Sequence, residues 1–435
     1  MSRRSSVGSG ASIPEAASPP ARPSGTGAEP GSNWANNLQY QAAQLMRPRN
    51  LDELHSAVVS SGRIKPLGSR HSFNTIADTS GALVDLSEMP RIFDIDEAIP
   101  AVTVDAAMRY GELALLLQQR GWALQNMASL PHISVVGSVA TGTHGSGDRN
   151  PPLAAAVREV QLMTGTGTLR TLRRGEPDFG AAVVSLGALG VVTQISLDIV
   201  PSFQVRQDVY QGLGWEQVLF NFDQLTSSAY SVSLFTRWGA DTFGHAWLKS
   251  TENPPEELLG VHALTDDIGL VEGTAERTTP QSGVWGSWDQ RLPHFKLEFT
   301  PSNGSELQTE YLLPRDNAVP AMQELRRMGE QLDPHLLITE IRTMAADEQW
   351  LSGAFQRDTV GFHFTWRQHT LDVLSLLPLL EERLLPLGAR PHWGKLFAVP
   401  DLTGMYPRLG DFTTVAEQMD PEGKFHNDFL TTVLF

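Results

Sequence analysis

Two short segments carry residue types that could hold a phosphorylated ligand. One is Pro66-Leu67-Gly68-Ser69-Arg70-His71-Ser72-Phe73. The other runs from Ser129-Leu130-Pro131-His132 through Ser134, Gly137 and Ser138 to Thr141-Gly142-Thr143-His144-Gly145. Glycine lets backbone approach a ligand closely, and free backbone N–H groups beside Ser and Thr hydroxyls make diphosphate donors. Composition alone reads them first as ordinary glycine-rich turns. Two of them, each beside an expected strand, favour a bound nucleotide. Further along, Glu340 and Arg342 lie two apart on an expected strand, as do His363 and Thr365, so each pair shares a face. Phe362, Phe364 and Trp366 take the opposite face and read as core. By itself the Glu–Arg pair reads first as an exposed ion pair contributing under about 1 kcal/mol, and only second as the polar floor of a pocket.

The elements that must position these residues alternate along the chain. Asn50 with Glu53 predicts a capping box, and Leu51, Leu54 and Val58 recur at helical spacing until Gly62. A strand at Ile64–Leu67 runs into the first loop. Further strands are expected at Leu83–Leu86 and Ala101–Val104, and a helix at Tyr110–Arg120 ended by Gly121. Val157–Met163 and Thr168–Leu172 predict a hairpin around Thr164-Gly165-Thr166-Gly167. Thr193, Ile195, Leu197 and Ile199 alternate with polar residues, as in a half-buried strand. Beyond about residue 205 the strands lengthen and gain aromatics, as at Tyr230–Trp238 and Thr359–Trp366, and an acidic, proline-containing stretch near 251–280 reads as a loop or insertion. Residues 1–32, rich in Ser, Gly, Pro and Ala, lack the apolar side chains to offset ordering entropy and are expected to form a disordered tail. The division that follows is a first domain over 33–204, an α+β second domain over 205–388, and a C-terminal segment, 389–435, returning to the first.

Composition narrows the chemistry. The chain has 435 residues, long enough for two or three folding units. Acidic residues number 49 against 33 basic ones, a formal charge of −16 with no local basic patch, which disfavours nucleic-acid binding. With 0 cysteines, disulfides, thiolate metal sites, iron–sulfur clusters and cysteinyl cofactor linkages are excluded. No G-x-G-x-x-G follows a strand, and G-x-x-x-x-G-K-[ST], H-E-x-x-H and G-x-S-x-G are absent. The 12 histidines show no zinc spacing, so no metal is expected. The longest apolar stretch, Leu371–Leu387, is broken by Pro378, Glu381, Glu382 and Arg383, so no membrane span is expected. Arg3 and Arg4 are followed by no apolar h-region, and the expected compartment is the cytoplasm.

The first loop, with the run from Asn126 to Gly145, resembles the FAD-binding domain of the vanillyl-alcohol-oxidase-type flavoproteins and, within them, the alditol (xylitol) oxidases. The resemblance continues through Ser185-Leu186-Gly187-Ala188-Leu189-Gly190, Glu340-Ile341-Arg342-Thr343, His363-Phe364-Thr365-Trp366, His392-Trp393-Gly394-Lys395 and Asp420-Pro421-Glu422-Gly423-Lys424-Phe425, covering residues 33–435. It implies an α+β, two-domain flavoprotein with an FAD-binding domain and a substrate (cap) domain. It further implies FAD covalently attached through His71. The cofactor contacts it implies are Pro66, Leu67, Gly68, Ser69, Arg70, Ser72, Ser129, Ser134, Gly137, Thr141, Gly142, Thr143 and His144, with Val192 near the adenine end and His392 near the isoalloxazine. The implied substrate contacts are Ser129, Glu340, Arg342, Thr365 and Lys395, with His363 beside them. The catalytic roles fall to Lys395, His363 and Arg342, one of the first two relieving a terminal hydroxyl of its proton. The implied reaction converts the terminal CH2OH of a polyol such as xylitol or sorbitol to the aldose, with dioxygen reduced to hydrogen peroxide by a monomeric enzyme. The alternatives are an oxidase or dehydrogenase of sugar-1,4-lactones, and a flavin-binding module without turnover.

Overall fold

The computed structural model describes residues 29–270, 274–299 and 306–435. The expected tail lies outside these as far as residue 28, and Ser32 already bridges Gln39. The first helix, Leu51–Ser60, begins as its sequence requires: the Asn50 side chain accepts the Glu53 N–H at 2.8 Å. The expected reciprocal half of the capping box is displaced by one residue, because Glu53 accepts the N–H of Arg49. Leu54 and Val58 are buried, whereas Leu51 is exposed at the helix start.

A small parallel sheet, in the order Gln44–Met46, Ala82–Val84, Ile64–Pro66, delivers the first loop. Beside it an antiparallel sheet runs Phe93–Asp96, Ala101–Asp105, Val191–Asp198, Val157–Met163, Leu169–Arg173. The hairpin between the last two uses Gly167 at φ +80°, a left-handed turn position that suits glycine. Helix Tyr110–Gln119 buries Leu113, Ala114 and Leu117 in the same core. Residues from helix Leu409–Met419, with Leu430 and Val433, pack into that core as well.

The second layer is an antiparallel sheet in the order Gly286–Ser287, Gln204–Gln211, His245–Ser250, Ser231–Thr236, Leu336–Met344, Thr359–Arg367, Glu306–Pro314, Arg390–Pro391. One face carries Leu307, Tyr311, Phe362, Phe364 and Trp366 and is covered by helices Ala318–Arg327 and Thr370–Leu384. The other face looks toward the first two loops. The stretch near 251–280 is more structured than a plain loop where described. It holds the strand pair Glu257–Leu258 and Val261–His262 and the helical turn Ala275–Arg277, and Leu270 and Arg277 reach the wall of the central cavity. Among the described residues no helix is long and apolar enough to cross a membrane.

Candidate active site

A cavity of about 810 Å³ lies between the glycine-rich loops and the open face of the large sheet. That volume is in the range of small-molecule and cofactor pockets. Its upper wall comes from the loop after Ile64–Pro66. Phe73 N–H donates to the Gly394 carbonyl at 2.8 Å, and Asn74 Nδ2 donates to the carbonyls of Trp393 and Lys395, each at 2.8 Å. The two loops are also clamped to each other, since Ser134 N–H donates to Ser69 Oγ at 2.9 Å. Their approach is close: a Cβ on Gly68 would fall 2.7 Å from Ser134 Oγ of the other loop, so any side chain there would displace that hydroxyl.

Of the expected cofactor contacts, Pro66, Leu67, Gly68, Ser69, Arg70, His71, Ser72, Ser129, Ser134, Gly137, Thr141, Thr143, His144, Val192 and His392 all border the cavity. Gly142 does not. Its φ of +69° places it just past helix Val135–Ala140, where it turns the chain, with its N–H on the Val139 carbonyl. Arg70 adopts φ +65° and sends its guanidinium toward the carbonyls of Pro30 and Ser32 and over the Tyr40 ring, tying down the start of the described chain. The His71 ring stacks on Trp34 with centroids 5.2 Å apart, and neither of its buried ring nitrogens has a hydrogen-bond partner. Burial pulls its pKa down to about 4, so the imidazole is neutral at ordinary pH. An unpartnered neutral imidazole beside a glycine-lined cradle of donors fits a flavin dinucleotide tethered at this histidine.

The floor of the cavity is polar by strand alternation. Register across the sheet aligns Glu310, His363 and Glu340 in one row, and Arg342 opposite Gly361 in the next. Gly361 packs directly beside the Glu310 row, its Cβ direction 3.4 Å from Glu310 Oε1. Glu310 then gathers three partners: Arg342 Nη2 at 3.0 Å, Lys395 Nζ at 3.1 Å and His144 Nε2 at 3.0 Å. Burial alone would raise the Glu310 pKa, but Lys395, His144 and Arg342 together hold it well below the usual carboxylate range. Glu340 behaves alike: burial opposes its charge, and Arg342 and His294 restore it. Arg342 also donates to Ser129 Oγ at 3.3 Å, joining the loop to the floor. His363 Nδ1 lies 3.6 Å from Glu340 Oε2, and its buried Nε2 has no partner. Burial, with Lys395 adding to it, lowers the His363 pKa to about 4. Thr365 completes the same wall.

The structure thus brings Ser129, Glu340, Arg342, His363, Thr365 and Lys395 around one volume, as expected. Sequence reasoning missed two groups that border it, Glu310 and His294, and also Lys249, buried behind His294. For Glu310 a signal existed, because Glu306, Gln308 and Glu310 alternate with Leu307, Thr309 and Tyr311 along one strand. Among the described residues, the histidines, without zinc spacing in sequence, contribute to one cluster with the geometry to hold a metal ion. His335, His369 and Asp372 hold ligand atoms within 4.8 Å of one another at the surface, off the cavity wall.

Comparison with known proteins agrees with this geometry. Residues 42–173 match the FAD binding domain family and residues 299–433 the D-arabinono-1,4-lactone oxidase family. The chain is 46% identical over 410 residues to alditol oxidase from Streptomyces sp., covering 93% of this chain and 98% of the relative. It is 29% identical over 426 residues to L-gulono-1,4-lactone dehydrogenase from Mycobacterium tuberculosis, and 25% identical over 457 to L-gulonolactone oxidase from Bos taurus, with the same coverage. Among solved structures, cholesterol oxidase from B. sterolicum superposes with a TM-score of 0.77 at 14% identity, covering 93% of this chain and 96% of that one, which shows a shared fold.

Proposed function

Since the chain belongs to the alditol oxidase family of vanillyl-alcohol-oxidase-type FAD flavoproteins, we propose that it oxidises the terminal hydroxyl of an open-chain polyol to the aldose. When bound, FAD would supply the two-electron acceptor, with dioxygen as the terminal oxidant and hydrogen peroxide as its product. The loop Pro66–Ser72 would hold it with Ser134, Gly137, Thr141, Thr143, Val192 and His392, and His71 would carry the covalent link. The carrying observation is the floor: Glu310, Glu340, Arg342 and Lys395 are buried or nearly so, yet paired with one another beneath the His71 and His392 loops.

Such a floor suits a ligand with a hydroxyl on every carbon. Glu340 accepts from hydroxyls, Arg342 and Lys395 donate to them, and Ser129 and Thr365 can do either. Lys395 is held as a cation by Glu310, which leaves the free Nε2 of neutral His363 as the group to take the proton from the C1 hydroxyl. Arg342 and Lys395 offset negative charge that develops during transfer. Both loops and the floor come from one chain, so a monomer suffices.

A sugar-lactone reading is favoured by the match of residues 299–433 to the D-arabinono-1,4-lactone oxidase family. One set of measurements separates the two. Xylitol or sorbitol should bleach the flavin band anaerobically and yield peroxide in air, and gulono-1,4-lactone should not; the reverse order of substrates sinks the polyol reading. Acid precipitation should leave a yellow pellet for the wild type and a colourless one for His71→Ala.

A further inference from the structure

His294 borders the cavity next to Glu340, Lys249 lies behind His294, and nothing in the proposed chemistry uses either. Lys249 is on strand His245–Ser250, its Nζ fully buried among the carbonyl of Leu292, the carbonyl of Pro293 at 3.1 Å and His294 Nδ1 at 2.9 Å. An ammonium has three protons and no lone pair, and here three acceptors surround it. His294 Nε2 in turn lies 2.7 Å from Glu340 Oε1, with Ser233 Oγ at 3.3 Å. A carboxylate only accepts, so the proton between them sits on Nε2. Two proton arrangements satisfy every group, an ammonium with a neutral imidazole or a neutral amine with an imidazolium, and each places a single positive charge beside Glu340. Burial, with Lys249 adding to it, pulls the His294 pKa down to about 4, which selects the ammonium with Nδ1 bearing the lone pair.

We propose that Lys249 and His294 are positioning residues that lock Glu340 as a carboxylate with Oε1 turned to His294, so that Oε2, beside His363 Nδ1, faces a polyol hydroxyl with its remaining lone pair. This inference rests on the polyol reading of the site. Burial pushes Lys249 well below the usual lysine range, and Glu340 opposes that loss. The pair therefore acts on substrate affinity through the Glu340 carboxylate. Its contribution is made in the bound state and the transition state alike, so its loss is read in KM more than in kcat.

The test uses holoenzyme. Lys249→Met and His294→Leu should each raise the KM for the best polyol about ten- to hundredfold, as for losing a hydrogen bond to a charged group. The kcat should stay within about threefold. His294→Gln keeps a donor for Glu340 and an acceptor for Lys249, and should restore KM to within about threefold of wild type. Separately, ¹⁵N-histidine NMR of the wild type should show His294 protonated at Nε2 and not at Nδ1, its signals identified by their loss in His294→Gln. A proton on Nδ1, an unchanged KM in Lys249→Met, or a glutamine variant as impaired as the leucine one overturns the proposal. The NMR measurement decides even where a variant does not fold. If no polyol reduces the wild type, the functional reading fails, while the tautomer still decides the arrangement of the pair.

Discussion

Glu310 organises the charges of the cavity floor. A buried carboxylate is stable only when paired and hydrogen-bonded, and Glu310 meets that condition by drawing Lys395 and Arg342 to one point. The result is a site whose cation and base are already in different protonation states at neutral pH. His363 has its pKa lowered from 6.5 to about 4 chiefly by burial, so its neutral form is lost only as pH falls through about 4. Lys395 is lowered from 10.5 by burial, partly opposed by Glu310, so its charge is lost on the alkaline side, below the ordinary lysine range. The kcat/KM profile for a polyol should therefore be flat around neutrality, with its acid limb near 4 and its alkaline limb below 10.5. Stopped-flow reduction after pH jumps would show this, and an acid limb near 6.5 would remove His363 from the role of base. Lys395→Met should erase the alkaline limb and slow anaerobic reduction about a hundredfold while FAD is retained.

At the scale of elements, the site is assembled by joints between distant segments. The Lys395 loop hangs from Asn74 and from strand Glu306–Pro314, to which His392 N–H and Leu396 N–H donate at Glu310 and Gln308. The chain end is secured in a similar way. Asn427 caps helix Asp428–Val433 by accepting the Leu430 N–H at 2.9 Å, and its Nδ2 donates to the carbonyls of Thr75, Ile76 and Asp78. Asn427→Ala removes the cap and leaves buried carbonyls unpaired, a loss of about 2–3 kcal/mol. Thermal unfolding of the holoenzyme should show the drop, whereas steady-state kcat should change little, because the residue is off the cavity wall. Much of this level is legible beforehand. Strand Val191–Asp198 alternates as its residues require, and the aromatic face of Thr359–Arg367 is core as expected. The shift of the capping box to Arg49 was not legible, since Glu53 can reach two adjacent N–H groups equally well.

At the scale of the molecule, the cavity lies between two layers, and each layer supplies one wall. A ligand that fills it stabilises the folded state by mass action and leaves the unfolded chain unaffected. In His71→Ala, stripped of flavin, Tm should rise with added FAD, by the equivalent of about 2.7 kcal/mol at a hundredfold excess over Kd. A Tm indifferent to FAD would place the cofactor elsewhere.

Local chemistry was enough to mark the two glycine-rich loops, the strand faces and the residues Glu340, Arg342, His363 and Thr365, because turn preference and period-two alternation act between near neighbours. The resemblance of whole motifs added His71, Lys395 and the flavin. What only the tertiary structure decided is which charges meet. Glu310 and Lys395 are 85 residues apart and meet where the Lys395 loop hydrogen-bonds along strand Glu306–Pro314; Lys249 and His294 are 45 apart, one on a strand and the other on the loop packed against it. The strength of such pairs depends on burial and on contact distances of about 3 Å, and neither quantity is carried by the order of residues along a chain.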